Sequence, residues 1–122
     1  MNIEWLKKIE GYLAENKGED LFYLISTMLF ENRKDFIHFL MDASNGIGTV
    51  VHEGLECVLD SNLDGLSEVT FYVGEIESSS ISFDEFVVLM SIISNAYIVE
   101  FPDETNDILH YMNLLANKQS VG

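Results

Sequence analysis

Val69-Thr70-Phe71-Tyr72-Val73, followed a short way on by Ile81-Ser82-Phe83-Asp84-Glu85-Phe86, reads as a strand and then the opening of a helix, and this change of period decides the fold. Val69, Phe71 and Val73 share one face while Thr70 and Tyr72 take the other, the two-residue alternation of a half-buried strand. In the second segment the Ser82 hydroxyl and the Glu85 carboxylate are spaced as a capping box, each satisfying an orphan backbone N–H, and Ile81 and Phe86 form the accompanying hydrophobic staple. The spacing predicts a helix from Phe83 to about Ile98 that stops before Pro102. Between strand and helix, Gly74 is expected to let the strand slip by one, placing Glu75 and Glu77 toward solvent and Ile76 inside. Ser78-Ser79-Ser80 is expected to be a short polar turn.

Toward the amino terminus the period is helical. Ile3, Leu6, Ile9 and Leu13, with Trp5 and Tyr12 beside them, predict a helix over about Ile3 to Asn16, capped by Asn2 and ended at Gly18. Leu21 to Phe30 predicts a second helix behind Glu19-Asp20, whose carboxylates suit a helix amino terminus. Asn32 and Asp35 mark a fresh start before Phe36, Ile37, Phe39 and Leu40, read either as a kink or as a separate helix. Ser44-Asn45-Gly46-Ile47-Gly48 ends that pattern. Beyond it Thr49-Val50-Val51 and Leu55-Glu56-Cys57-Val58-Leu59 read as strand with Gly54 a bulge, and Asp60 to Gly65 reads as a turn. A last helix from about Asp103 carries Ile108, Leu109, Met112 and Leu115 on its apolar face. The expected class is α+β: amino-terminal helices, about three antiparallel strands, then two carboxy-terminal helices packed on the sheet, in one domain over 1–122.

Composition narrows the function. With 48% hydrophobic residues and one proline, the chain has the makings of a packed core. Its 21 acids against 6 Lys and Arg give a formal net charge of −15, which argues against direct binding to nucleic acid or to an anionic membrane, since both need cations to meet phosphate. The cations are Lys7, Lys8, Lys17, Arg33, Lys34 and Lys118, so the stretch from Asp35 to Asn117 holds 15 acids and no Lys or Arg. An uncompensated field of that kind is useful chiefly when something positive approaches it. The amino terminus lacks the basic-then-apolar order of a secretory signal. The most apolar window, Phe86 to Val99, is shorter than the ~20 residues a membrane span needs and is interrupted by Ser91, Ser94 and Asn95. With a single cysteine, Cys57, the expected location is the reducing cytoplasm.

Motifs of chemistry are weak. Asp60-Ser61-Asn62-Leu63-Asp64-Gly65 opens like a calcium loop, but Phe71 stands where the bidentate Glu belongs and strands flank it where helices are needed. His38, His52 and His110 are too scattered for metal-ligand spacing, and Cys57 and His52, five apart along one strand, would lie on opposite faces. There is no nucleophile elbow and no phosphate-cradling glycine loop. The reading is therefore of a binding protein without cofactor or metal, not an enzyme. Its binding residues are expected where uncompensated charge is densest, on the strands and their turns: Glu53, Glu56, Asp60, Asp64, Glu68, Tyr72, Glu75 and Glu77.

Phe36, Phe39-Leu40, the Asn45-Gly46 break, Val69 and Phe71, Ile81 to Phe86 opening a helix, and Ala96-Tyr97 followed by Phe101-Pro102-Asp103 together resemble the immunity proteins of bacterial contact-dependent growth inhibition systems, especially those guarding against ribonuclease toxins. The resemblance runs from Phe36 to about Leu115 and leaves out the first 35 residues. It implies a cytoplasmic protein that binds the basic carboxy-terminal domain of a toxin, a nuclease, and blocks it. No binding residue transfers by motif, because such families diverge most at the toxin-facing surface. The competing expectation is a cytosolic adaptor or chaperone-like module with an apolar helix groove, using residues such as Leu109 and Met112.

Overall fold

The computed structural model describes residues 3–62 and 65–118. Along the chain come α1 (Glu4–Lys7), α2 (Glu10–Glu15), α3 (Glu19–Phe30) and α4 (Phe36–Ser44). Four strands follow, β1 (Thr49–His52), β2 (Leu55–Asn62), β3 (Gly65–Val73) and β4 (Ile76–Ser82), and then α5 (Phe83–Glu100), a 3-10 turn (Pro102–Glu104) and α6 (Thr105–Ala116). The strands form one antiparallel meander in the order β1-β2-β3-β4. The class is α+β, with six α-helices and four strands among the described residues.

The expected first helix is two pieces. At the join the Ile9 N–H bonds to the Leu6 carbonyl, three residues back instead of four, so the helix tightens and restarts while Leu6 and Leu13 both stay fully buried. Asn2, its expected cap, lies outside the described residues. Gly18 does follow the second piece, and its place there is forced: its N–H bonds to the Leu13 carbonyl at 2.6 Å, and a Cβ would stand 2.9 Å from that same oxygen. Lys17 before it takes φ 67°, the left-handed conformation that ends a helix. The same ending recurs after α3, where Asn32 has φ 53° and the Arg33 N–H reaches Met28, and after α4, where Gly46 has φ 76° and the Ile47 N–H reaches Asp42. Thus α3 and α4 are separate helices, and the Asp35 carboxylate caps the second by accepting the His38 N–H at 2.8 Å.

The sheet departs most from expectation. Gly74 and Glu75, at φ 65° and 68°, form a two-residue hairpin turn that reverses the chain, where a one-residue slip was expected. Ile76, expected inside, is 72% exposed, and Ser78-Ser79-Ser80, expected as a turn, belong to the fourth strand. Gly54, expected as a bulge, is the turn glycine between β1 and β2 at φ 85°, and the irregularity falls earlier in β1, at Val51. The expected turn from Asp60 to Gly65 is mostly ladder: β2 continues to Asn62 and β3 resumes at Gly65.

After the fourth strand the expectation holds more closely. The capping box is present, with the Glu85 N–H donating to Ser82 Oγ and the Ser82 N–H to Glu85 Oε1, both at 3.0 Å. The helix it opens runs two residues past Ile98 to Glu100. α6 begins two residues later than Asp103, after the proline turn. It buries Ile108 and Leu115, whereas Leu109, expected on that face, is 49% exposed.

All the helices lie on one side of the sheet. Val51, Leu55, Cys57, Val69, Phe71 and Ile81 face them and join one buried cluster with Leu21, Leu24, Phe83, Phe86 and Met90. Deeper in the helical layer, Trp5 packs edge-on to Tyr97 at 5.2 Å and to Phe36 at 6.0 Å. The opposite face of the sheet carries no helix, and the alternate residues of every strand point to it.

Candidate partner-binding face

Antiparallel register sets the residues of that open face in rows. Val50, Glu56, Tyr72 and Glu77 stand opposite one another across all four strands. Val58, Thr70 and Ser80 make the next row, and Asp60, Glu68 and Ser82 the third. Five of the eight residues expected from sequence, Glu56, Asp60, Glu68, Tyr72 and Glu77, therefore share this single face. Glu53 and Glu75 lie at one end of it, on the β1–β2 and β3–β4 turns, which are joined by the Gly74 N–H to the Gly54 carbonyl at 2.5 Å. Asp64 lies outside the described residues.

The electrostatics of the face are one-sided. Asp60 and Glu68 are a directly opposed cross-strand pair, and like charges so placed repel. Thr70 Oγ1 donates to Asp60 Oδ2 at 3.2 Å, which satisfies one carboxylate oxygen without neutralising the charge. Four of the six cations pair elsewhere: Lys7 with Glu4, Lys17 with Glu85, Arg33 with Glu31, and Lys34 with Asp42 at 2.6 Å. Among the described residues no ion pair reaches Glu53, Glu56, Asp60, Glu68, Glu75 or Glu77.

Sequence reasoning missed the apolar part of this surface. Val50, 64% exposed, and Val58, half-buried, share the open face with Tyr72. The face thus intersperses apolar and aromatic side chains with carboxylates, Tyr72 standing between Glu56 and Glu77, a mixture in which anchors for a protein partner occur. Cross-strand register was the missing signal, because Val50 and Tyr72 come together only through β2.

Cys57 faces the core, and burial pushes its thiol up to about 11, so almost none is thiolate at neutral pH. His52 is on the neighbouring strand and not on that of Cys57, across the Gly54 turn; its Nδ1 lies 2.9 Å from the Glu53 carbonyl and its Nε2 is 3.8 Å from Glu31. The Tyr97 hydroxyl is raised by burial and by its 2.9 Å hydrogen bond to Glu104. The Glu85 carboxyl is lowered, first by the Ser82 N–H and then by Lys17. Among the described residues no group of three or more His, Cys, Asp or Glu is placed to hold a metal ion.

A concavity of about 260 Å³ lies between α2 and α5 and is lined by Tyr12, Val88, Leu89 and Ile92 with Asn16, Asp84 and Glu85. It is a different place from the Leu109 and Met112 groove expected from sequence. No helix among the described residues is long and apolar enough to cross a membrane. Comparison with protein-family models, with curated proteins and with solved structures finds no match for this chain.

Proposed function

We propose that this chain is a cytoplasmic immunity protein that binds a basic toxin domain, a nuclease and more specifically a ribonuclease, and covers its active site or substrate groove with the open face of the sheet. The observation that carries the reading is the collection on one face of Glu56, Asp60, Glu68 and Glu77 around Tyr72, with none of the described cations paired to them. A nuclease groove is cationic because it holds phosphate, so an acidic surface of this kind meets it as the substrate would. The like-charge pair of Asp60 and Glu68 costs the free protein stability that an approaching cation would return. The protein acts by occlusion and performs no reaction of its own.

The test is protection. On this reading the neighbouring gene should encode a large exported protein ending in a small basic domain, and that domain is to be expressed in cells with and without this chain. Growth should be rescued, and the purified pair should associate faster at low salt than at high. Glu56→Lys, Glu68→Lys and Glu77→Lys together should cut the association rate at least tenfold, whereas Asp103→Lys and Asp107→Lys should not. Continued growth arrest, or association indifferent to salt and to the first set, would sink the proposal.

The groove between α2 and α5 favours a second reading, an adaptor that takes an apolar helix there. Its binding would be insensitive to salt and lost in Val88→Asp.

A further inference from the structure

The meander ends in a strand whose outer side is unoccupied. Among the described residues β4 pairs with β3 alone, and its sequence has neither Lys nor Pro; the one irregularity along this edge is the register shift at Ser78. The two-residue turn at Gly74-Glu75 makes Val73 and Ile76 a hydrogen-bonded pair. The register shifts between Tyr72 and Phe71, so that Ser78 is an extra, bulged residue; in the alternation on either side of it, Ser79 and Ile81 bond to β3, while Glu77 and Ser80 turn their main-chain N–H and C=O groups away from it. Among the described residues no backbone bond from outside the sheet reaches residues 77–81. Beside this open row runs a groove of about 450 Å³, between β4 and the α2–α3 connection, lined by Lys17, Glu19, Asp20 and residues 78–81. Ser79 Oγ donates to Asp20 Oδ2 at 2.5 Å and ties strand to helix at its floor. Lys17, the one cation lining it, has its Nζ 3.2 Å from Glu85, which leaves the groove acidic.

We propose that β4 is a docking edge, on which an extended segment of the basic partner adds as a fifth strand. The open main-chain groups of Glu77 and Ser80 supply backbone hydrogen bonds, and alternate side chains of the added strand enter the groove. Glu19 and Asp20 select Lys or Arg there, while Glu77 meets cations on the open face. The inference rests on the partner being basic, as proposed above, and adds how it is held.

The probe is an acetylated and amidated heptapeptide of alternating lysine and valine, added to the ¹⁵N-labelled full chain at low ionic strength. The amide signals of Glu77 and Ser80 should shift, and their exchange with solvent should slow. The same peptide methylated at every backbone nitrogen keeps its charges but loses its donors, and should bind at least tenfold more weakly. Glu19→Lys should weaken the unmodified peptide several-fold. Ser80→Pro removes an outward N–H that bonds nothing in the free protein, and should weaken it tenfold without unfolding the chain. Equal binding of both peptides, with shifts confined to Glu56 and Tyr72, overturns the docking edge and leaves the acidic face as the binding surface. Shifts at Glu77 and Ser80 that survive Glu56→Lys and Glu68→Lys support the edge and count against the face. An absence of any shift overturns the docking edge.

Discussion

On the side of β3 turned to the helices, Val69 and Phe71 are 0% and 1% exposed, packed into the common core. On the other side, Glu68 and Tyr72 point to the face that carries no helix, and Glu68 stands opposite another carboxylate, Asp60. The same backbone thus serves two masters. Its inward residues are explained by the fold, since each removes apolar surface from water. Its outward residues are not, because a Lys at Glu68 would stabilise the free protein better than the acid present. The outward face is thus where packing leaves the choice of residue unexplained.

Substitutions on adjacent residues break this comparison most directly. Phe71→Ala should cost about 3–5 kcal/mol through lost burial and the cavity left behind. Tyr72→Ala, one residue on, should stay within about 1 kcal/mol while weakening partner binding. Denaturant titration of both separates them, and equal losses would mean that the open face is structural after all. At the junction of sheet and helix, Ser82→Ala removes the cap of α5 and should cost about 1 kcal/mol, read as a lowered melting temperature. On the open face the sign should reverse. Glu68→Gln relieves the repulsion with Asp60 and should stabilise the free protein by about 0.2–1 kcal/mol at low salt, with the gain fading near ~1 M salt. A destabilised Glu68→Gln would show that the pair is not repulsive in place.

The smallest effect is a pH dependence. Glu85 titrates below its ordinary 4.5 because the folded chain hydrogen-bonds its ionised form. Its contribution is therefore complete above that ordinary value and is lost as pH falls through the depressed one. Stability curves across the acid range should fall more steeply for the native chain than for Glu85→Gln, which keeps the cap but does not titrate. Parallel curves would remove Glu85 from the acid sensitivity.

Much of the fold was legible because its signals are local. The Ser82–Glu85 capping box, the Asn45-Gly46 ending and the alternation of Val69, Phe71 and Val73 each lie within a few residues. The fourth strand was not, because Gly74-Glu75 lacks the usual Asn-Gly or Asp-Gly of a two-residue turn and the serines after it have low strand preference. Without that hairpin the pattern puts Ile76 inside and leaves no fourth strand at the edge. The acidic site was legible as a list and not as a surface. Charge counting found Glu56, Glu68 and Glu77, but only register aligns them with Val50 and Tyr72.

The order β1-β2-β3-β4 also bears on time. Every strand pairs only with its neighbours in the chain, across two-residue connections, so no ladder waits for a long loop to close. Hairpins of this kind form in roughly 1–10 μs, and sheets built from them are among the faster β topologies to reach their native pairing. Each strand therefore finds its partner in the segment made just before it, and what remains after β4 is the docking of α5 and α6 onto the inner side.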